Sequence, residues 1–434
     1  MNSEYESIRL RELCLRITKG TTPTKGVGFV KLGINYIKSE SITSDGSIDV
    51  SKFAFIDLET HRKLVRSQLC ENNVLFSMAG VYLGKTAVVL PKHLPANTNQ
   101  AVGIITLDES KADPYFIHYS LQSPGCRAWV LRSASQSAQP NFNLQEIGDL
   151  KVPALSLEGQ KEIASVLRLF DDRITLLRET NASLEAIAQT LFKSWFVDFD
   201  PVFSKLECRT PDGMDENTAS LFPDSFKETE FGMVPEGWRI NALDEIATYL
   251  NGLALQKFPA TGRDDLPIIK IAQLRKGDSV GADMASRSIK PDYVIQNGDV
   301  LFSWSGSLEV EIWSGGEGAL NQHLFKVTSA NYPKWFYYLW TRHHLKNFRQ
   351  IAASKATTMG HIQRAHLSAA KVFVPSEELL SVANTVLQPI IERLTENAVQ
   401  AQTLSTLRDT LLPRLISGQL RLPGVPELEE ALAT

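Results

Sequence analysis

Two stretches come nearest to the loop with which an amino-methyltransferase holds a flipped base. They are Asp200-Pro201-Val202-Phe203 and Pro140-Asn141-Phe142-Asn143, and both lack its second proline. Ala79-Gly80-Val81-Tyr82-Leu83-Gly84 offers a glycine pair without a helical pattern behind it. No Walker A lysine and no nuclease-type acid–lysine cluster occurs. The eight histidines are scattered without metal-ligand spacing. Cys14, Cys70, Cys126 and Cys208 form no CxxC pair, which argues against zinc and against a disulfide framework and for reduced thiols. The residues predict binding rather than bond-breaking, with no cofactor or metal held by this chain.

The elements that would position a binding surface are written twice. Ser156–Phe196 falls on Ser376–Ile416 at an offset of 220 without a gap, so that Val166-Leu167 meets Val386-Leu387 and Leu184 meets Leu404. Upstream, Val74-Leu75-Phe76-Ser77 answers Val300-Leu301-Phe302-Ser303, and Asn99-Gln100 answers Asn321-Gln322. Each half reads as a variable α/β domain followed by a helix of constant length: 1–155 and 156–199, then a crossover at 200–235, then 236–375 and 376–420, with a tail at 421–434. The domains are mildly basic, with 17 Lys and Arg against 14 Asp and Glu in 1–155 and 16 against 12 in 236–375. The arms and crossover are acidic, so the whole chain carries −4. That distribution permits polyanion binding without establishing it. The N-terminus has no signal-like apolar core and no run of eighteen apolar residues occurs, which predicts a cytoplasmic protein with no membrane partner.

Short apolar runs at 34–37, 74–76, 87–90 and 101–107 predict strands in the first domain, and 267–271, 300–303 and 323–327 in the second. Helical periodicity covers Asp113–Arg132 and Pro333–Ile351. Each domain closes with a polar loop, 133–141 or 353–361, and a short strand. Ser156 and Ser376, with acids behind them, cap the two arms. The first arm carries the stripe Ile163, Val166, Leu167, Phe170, Ile174, Leu177, Leu184, Ile187, Leu191. The second carries Val386, Leu387, Ile390, Ile391, Leu394, Leu404, Leu407, Leu411, Leu415. Steps of three and four predict an antiparallel coiled coil of two helices, each roughly 60 Å long at about 1.5 Å per residue. Pro389 and Pro413 predict a kink or a broken first turn in the second. Trp238, after Pro235-Glu236-Gly237, is expected to plug the start of the second domain.

Two variable domains, each closed by a fixed helical segment, with the Val-Leu-Phe-Ser runs, the Asn-Gln pairs and Pro235-Glu236-Gly237-Trp238 in this order, resemble the DNA-specificity subunit of type I restriction–modification systems. The resemblance covers roughly residues 1–420. It implies a pseudo-two-fold layout in which each domain reads one half of a bipartite sequence in double-stranded DNA. It also implies that the spacer helices set the gap and dock two methyltransferase subunits, and that motor–nuclease restriction subunits join that core. S-adenosylmethionine, ATP and magnesium are then expected on those partners. Base edges are read by Arg or Lys on guanine and Asn or Gln on adenine. The expected contact residues of the first domain are Lys19, Thr21, Thr22, Lys25, Lys38, Tyr82, Lys85, Gln136, Gln139 and Asn141. Those of the second are Gln256, Lys257, Lys270, Gln273, Arg275, Trp304, Lys355, Thr358 and Arg364. For any one lysine, a solvated surface charge is an equal alternative. The Asn-Gln pairs recur, whereas readers should differ between halves, so both pairs are expected to cap a turn. A fused or stand-alone DNA-modifying enzyme, and a coiled-coil adaptor with two heads that bind something other than DNA, remain the competing functions.

Overall fold

The computed structural model describes residues 5–24, 27–134, 141–354 and 360–422. Packing divides the chain into two compact units, 1–172 with 405–434, and 173–404, so that the boundary falls inside both arms. The arms are single α-helices, Leu157–Phe196 and Glu377–Ser417. Their starts are capped as the sequence predicts: Ser156 Oγ accepts from Gly159 N–H, and Ser376 Oγ from Leu379 N–H, each at 3.2 Å.

In the first unit a four-stranded antiparallel sheet runs in the order Cys14–Lys19, Val102–Leu107, Val74–Ser77, Thr86–Val88. A second sheet orders Phe29–Val30, Ala54–Ile56, Ile34–Ile37, Ala96–Thr98, its last pair parallel. The run at 74–76 is apolar throughout because its sheet is covered on both faces. Val74 and Phe76 enter a core with Phe116, Ile117 and Phe142, while Leu75 turns to Ile37, Ile42 and Ala96. Ser7–Arg9 pairs with Lys151–Pro153 and ties the start of the domain to the entry of the first arm. The helical pattern at 113–132 is two helices, Pro114–Gln122 and Pro124–Ala134. Ser123 takes an extended ψ of 143° because the Pro124 ring disfavours a helical residue before it.

The second unit repeats this plan. Its antiparallel sheet orders Thr248–Asn251, Leu324–Thr328, Val300–Ser303, Val310–Ile312. The companion sheet orders Met284–Ala285, Leu266–Ile269, Gly318–Leu320, Val294–Ile295, with the middle pair parallel. Val300 and Phe302 face one core and Leu301 the other. Arg239–Ala242 pairs with Lys371–Val374, the counterpart of the first closing pair. The aromatic helix Lys334–Ser354 buries Trp335, Phe336 and Trp340 against Phe192 and Phe196 of the first arm. The crossover is ordered as helices Asp200–Leu206 and Glu216–Ser220 and the hairpin Phe226–Thr229 with Gly232–Pro235. Trp238, at the start of the second domain, is half-buried against that domain's core, its ring 5.9 Å from Phe196 and 5.6 Å from Phe199.

Within each unit the arms run antiparallel. In the first, Ile163, Ala164 and Leu167 share a core with Leu412, Leu415 and Ile416, and Leu411 packs at its edge. In the second, Ile174 and Leu177 meet Ala401 and Leu404, while Leu191, Leu387, Ile390, Ile391 and Leu394 pack into the domain core rather than onto the other arm alone. Val166, Phe170 and Leu184 are half-buried. Val386 does not belong to the seam: it is 39 % exposed, because Leu387 takes the core and a one-residue step rotates its neighbour by about 100°. Ile187 and Leu407 are exposed as well. Pro389 and Pro413 do not break the second arm, which is helical throughout; beside Pro389, Leu387 and Ile391 are fully buried and hold the chain in place.

The seam also carries polar contacts that the apolar stripe does not announce. Asn397 is 5 % exposed and donates to Asn181 Oδ1 at 2.9 Å, while Asn181 donates to Leu394 O at 2.9 Å. In the first unit Arg408 and Tyr119 both donate to Asp171 at 2.5 Å, and burial, the largest influence, raises that carboxyl against the pull of Arg408. A polar pair inside a helix seam fixes register at some cost in stability. Asn397→Ala leaves Asn181 Oδ1 without its donor, so chemical denaturation should show a loss of about 1–3 kcal/mol. The double variant Asn181→Leu/Asn397→Leu should recover most of it. A double variant as unstable as the single one would contradict this role.

Candidate nucleic-acid interface

Strand register brings the loops of each domain to one end of its antiparallel sheet. In the first domain Lys19 lies opposite Gly103 and Ser77 opposite Val102, so the end of strand 14–19, the turn after strand 74–77 and the turn before strand 102–107 are neighbours. Ile37 pairs with Thr98, which brings Lys38 to the same place. Asn141 bridges Ala79, and Phe142 N–H donates to Met78 O at 2.8 Å, so the chain leaving the polar loop is stitched to the turn. Lys19, Thr21, Thr22, Lys38, Tyr82, Lys85 and Asn141 therefore sit in the loops at this one end of the domain. Thr21 is partly committed to the fold: its N–H donates to Thr98 O at 3.0 Å and its carbonyl accepts from Tyr36 OH at 2.9 Å. Lys38 stands 3.5 Å from Glu40.

Lys85 sits 5.1 Å over the Tyr82 ring. Burial, then the neighbouring cations Lys52 and Arg127, hold its ammonium below the usual lysine range. Arg127 lies on helix Pro124–Ala134 and escaped the sequence reading because a lone arginine in an amphipathic pattern reads as surface. Gathered cations of this kind suit an approaching phosphate backbone.

The second domain builds the same end from different side chains. Asn251 lies opposite Phe325 and Ser303 opposite Leu324; Ser305 bridges His361, and Ile362 N–H donates to Trp304 O at 3.0 Å. Trp304 is half-buried beside His323, Phe325 and His361, and its Nε1 donates to Asn251 Oδ1 at 2.9 Å. Arg364 is tied to the sheet, donating to Tyr249 O at 3.1 Å with its guanidinium over Phe325. Lys270 follows the strand that pairs with Gly318–Leu320 and bonds Asp283 at 2.5 Å; Gln273 accepts from its N–H at 3.3 Å. Gln256 and Lys257 are exposed on a short turn beyond Leu253, and Arg275 is exposed toward the far end of helix Ile271–Lys276. Asn251, His323 and His361 were missed by sequence reading, since single polar residues at strand ends carry no periodic signal. Lys25, Gln136, Gln139, Lys355 and Thr358 lie outside the described residues.

Both Asn-Gln pairs sit in the corner turn of this surface. Asn99 O accepts from Val102 N–H at 3.1 Å and Asn321 O from Leu324 N–H at 2.9 Å. A glycine seals each turn: a Cβ on Gly20 would stand 2.2 Å from Thr98 O, and one on Gly252 would stand 2.2 Å from Asn321 O. Asn321 is buried and its Oδ1 accepts from His323 N–H at 3.2 Å, the turn-capping role expected of it.

All four cysteines are free, and burial pushes the Cys14 and Cys126 thiols up to about 12. Among the described residues no group of three or more His, Cys, Asp or Glu could hold a metal ion, and no helix is long and apolar enough to cross a membrane.

The chain is similar to a type I restriction enzyme specificity subunit of Methanocaldococcus jannaschii, 26 % identical over 76 % of this chain and 74 % of that protein. It is also similar to one of Haemophilus influenzae, 23 % identical over 65 % and 71 %. Among solved structures it shares the fold of the type I restriction–modification S subunit of M. genitalium, with a TM-score of 0.53 and 16 % identity over 96 % of both chains. Residues 2–186 and 235–401, one span for each of the two sheet-end surfaces, match the family described as type I restriction modification DNA specificity domain, and the chain belongs to that family.

Proposed function

We propose that this chain reads a bipartite DNA target for a type I restriction–modification complex, the domain at 1–155 reading one half-site and that at 236–375 the other. The observation that carries this is the sheet-end surface, built twice on one backbone plan and furnished differently: Lys19 and Asn141 in one domain, Asn251, Trp304 and His361 in the other. Equal scaffolds with unequal side chains suit two readers of unequal sequences. Phosphate contacts position such a surface and base-edge contacts give it specificity. The arms at 156–199 and 376–420 set the distance between half-sites and dock two methyltransferase subunits, to which motor–nuclease subunits are added. Half-sites on one face of the duplex lie about 34 Å apart, a spacing a flexible linker would not fix. The chemistry, with S-adenosylmethionine, ATP and magnesium, belongs to those partners in the cytoplasm, and this chain makes and breaks no bonds. Methyl transfer by the purified chain alone would favour the DNA-modifying enzyme instead. Failure to bind DNA even with its partner subunits would favour an adaptor.

Modularity is tested by exchange. Replacing residues 1–155 with the corresponding domain of a relative should change one half-site and leave the other and the gap intact, as read by methylome sequencing. A change in both half-sites would contradict independent readers. The isolated chain, with mildly basic domains and acidic arms, should bind duplex DNA weakly and with steep salt dependence. Tight, sequence-specific binding by the chain alone at physiological salt would show that the partners contribute little to recognition.

A further inference from the structure

The fold uses the backbone carbonyl of the asparagine in each Asn-Gln pair, and in the second domain the Asn321 side chain as well, whereas neither turn is closed by its glutamine side chain. Gln100 and Gln322 occupy the second position of the same corner turn in the two domains. The Gln100 side chain is exposed and has no hydrogen bond among the described residues. Gln322 is half-buried, and its carboxamide makes one long contact, 3.4 Å from Nε2 to His323 Nε2. That imidazole is itself held, its Nδ1 2.9 Å from Ser305 Oγ, so the amide is oriented while its oxygen stays unused. The backbone beneath is stiff, closed by Gly20 in one domain and Gly252 in the other. Around the two glutamines the surface changes: Lys19 against Asn251 and Asn141 against His361, while half-buried Trp304 stands where the first domain buries Met78. A polar side chain that is constant where its neighbours vary, and that the fold does not need, calls for a ligand feature common to both half-sites.

We infer that Gln100 and Gln322 are base readers shared by the two domains, each recognising one adenine of its half-site. The inference rests on the proposed function above. A carboxamide offers one acceptor and one donor side by side. Adenine presents the complement in the major groove, the N6 amino donor and the N7 acceptor, whereas guanine presents two acceptors. A rigid turn suits such a paired contact, because both hydrogen bonds must be met together. The differing neighbours then read the bases that differ between the half-sites.

The test uses the assembled complex on its own target, taken from methylome sequencing. Competition binding is measured on duplexes in which each adenine in turn is replaced by 7-deazaadenine, which lacks the N7 acceptor. One adenine in each half-site should weaken binding by the wild-type complex about ten-fold on replacement, the scale of one lost bidentate contact. At that position the replacement should have no further effect on Gln322→Ala for the second domain's half-site, or on Gln100→Ala for the other. The inference is overturned if no adenine responds in the wild-type complex, a result that does not depend on how the variants fold. It is equally overturned if the deaza effect persists undiminished in both variants, or if the variants lose affinity for random duplex by the same factor, which would make these phosphate contacts. A wild-type complex with no sequence preference at all would overturn the proposed function itself.

Discussion

Each arm carries an apolar stripe longer than its own domain can cover, and hiding that stripe organises the rest of the chain. In the first unit the end of the second arm supplies Leu412, Leu415 and Ile416 to a core otherwise made by the first domain and the first arm. In the second unit the first arm supplies Ala188, Phe192 and Phe196 in the same manner. Neither core is therefore complete without residues from a distant part of the sequence. The polar contacts at Asn181–Asn397 and at Asp171–Arg408 refine that pairing, because an unpaired amide or carboxylate in such a seam would be costly. An apolar seam alone would tolerate sliding by a turn, and these pairs oppose it.

Much of this was legible in the chain because the duplication marks what both halves must keep. The Val-Leu-Phe-Ser runs mark a strand buried on both faces, and the serine caps mark where the arms begin. What stayed hidden depends on tertiary context. Val386 fits the spacing of threes and fours but turns outward, since periodicity does not say which of two adjacent apolar residues takes the core. Pro389 signals a break that a firmly packed helix does not show, whereas Pro124 does split a continuous-looking pattern. Asn181 and Asn397 stand outside the apolar stripes, and only the pairing of two arms makes them neighbours. The Asn-Gln pairs were legible as repeats, yet their two residues have different situations, which the sequence cannot separate.

The candidate contact residues divide along similar lines. Lysines at strand ends converge because strand register forces the loops to one edge, which follows once the sheet order is known. Others are already engaged: Arg364 with Tyr249, Lys270 with Asp283, Trp304 with Asn251. Such residues can shape the surface without being free to leave it. The result is a graded surface in each domain: a sealed turn, side chains anchored around it, and exposed polar groups beyond. This arrangement suits a scaffold whose specificity changes by substitution at its rim.

The central claim is that the paired arms convert protein length into base-pair spacing. Its most direct test is a heptad inserted into both arms at facing positions, after Ala182 and after Arg393, both on the same side of the contact from Asn181 to Leu394. Seven residues add about 10 Å at about 1.5 Å each, close to three base pairs at about 3.4 Å. They preserve the apolar stripe to within roughly 20°. Methylome sequencing of cells carrying this variant with its partner subunits should show both half-sites unchanged and the gap between them lengthened. An active variant with an unchanged gap would contradict the claim and move the ruler to the methyltransferase subunits.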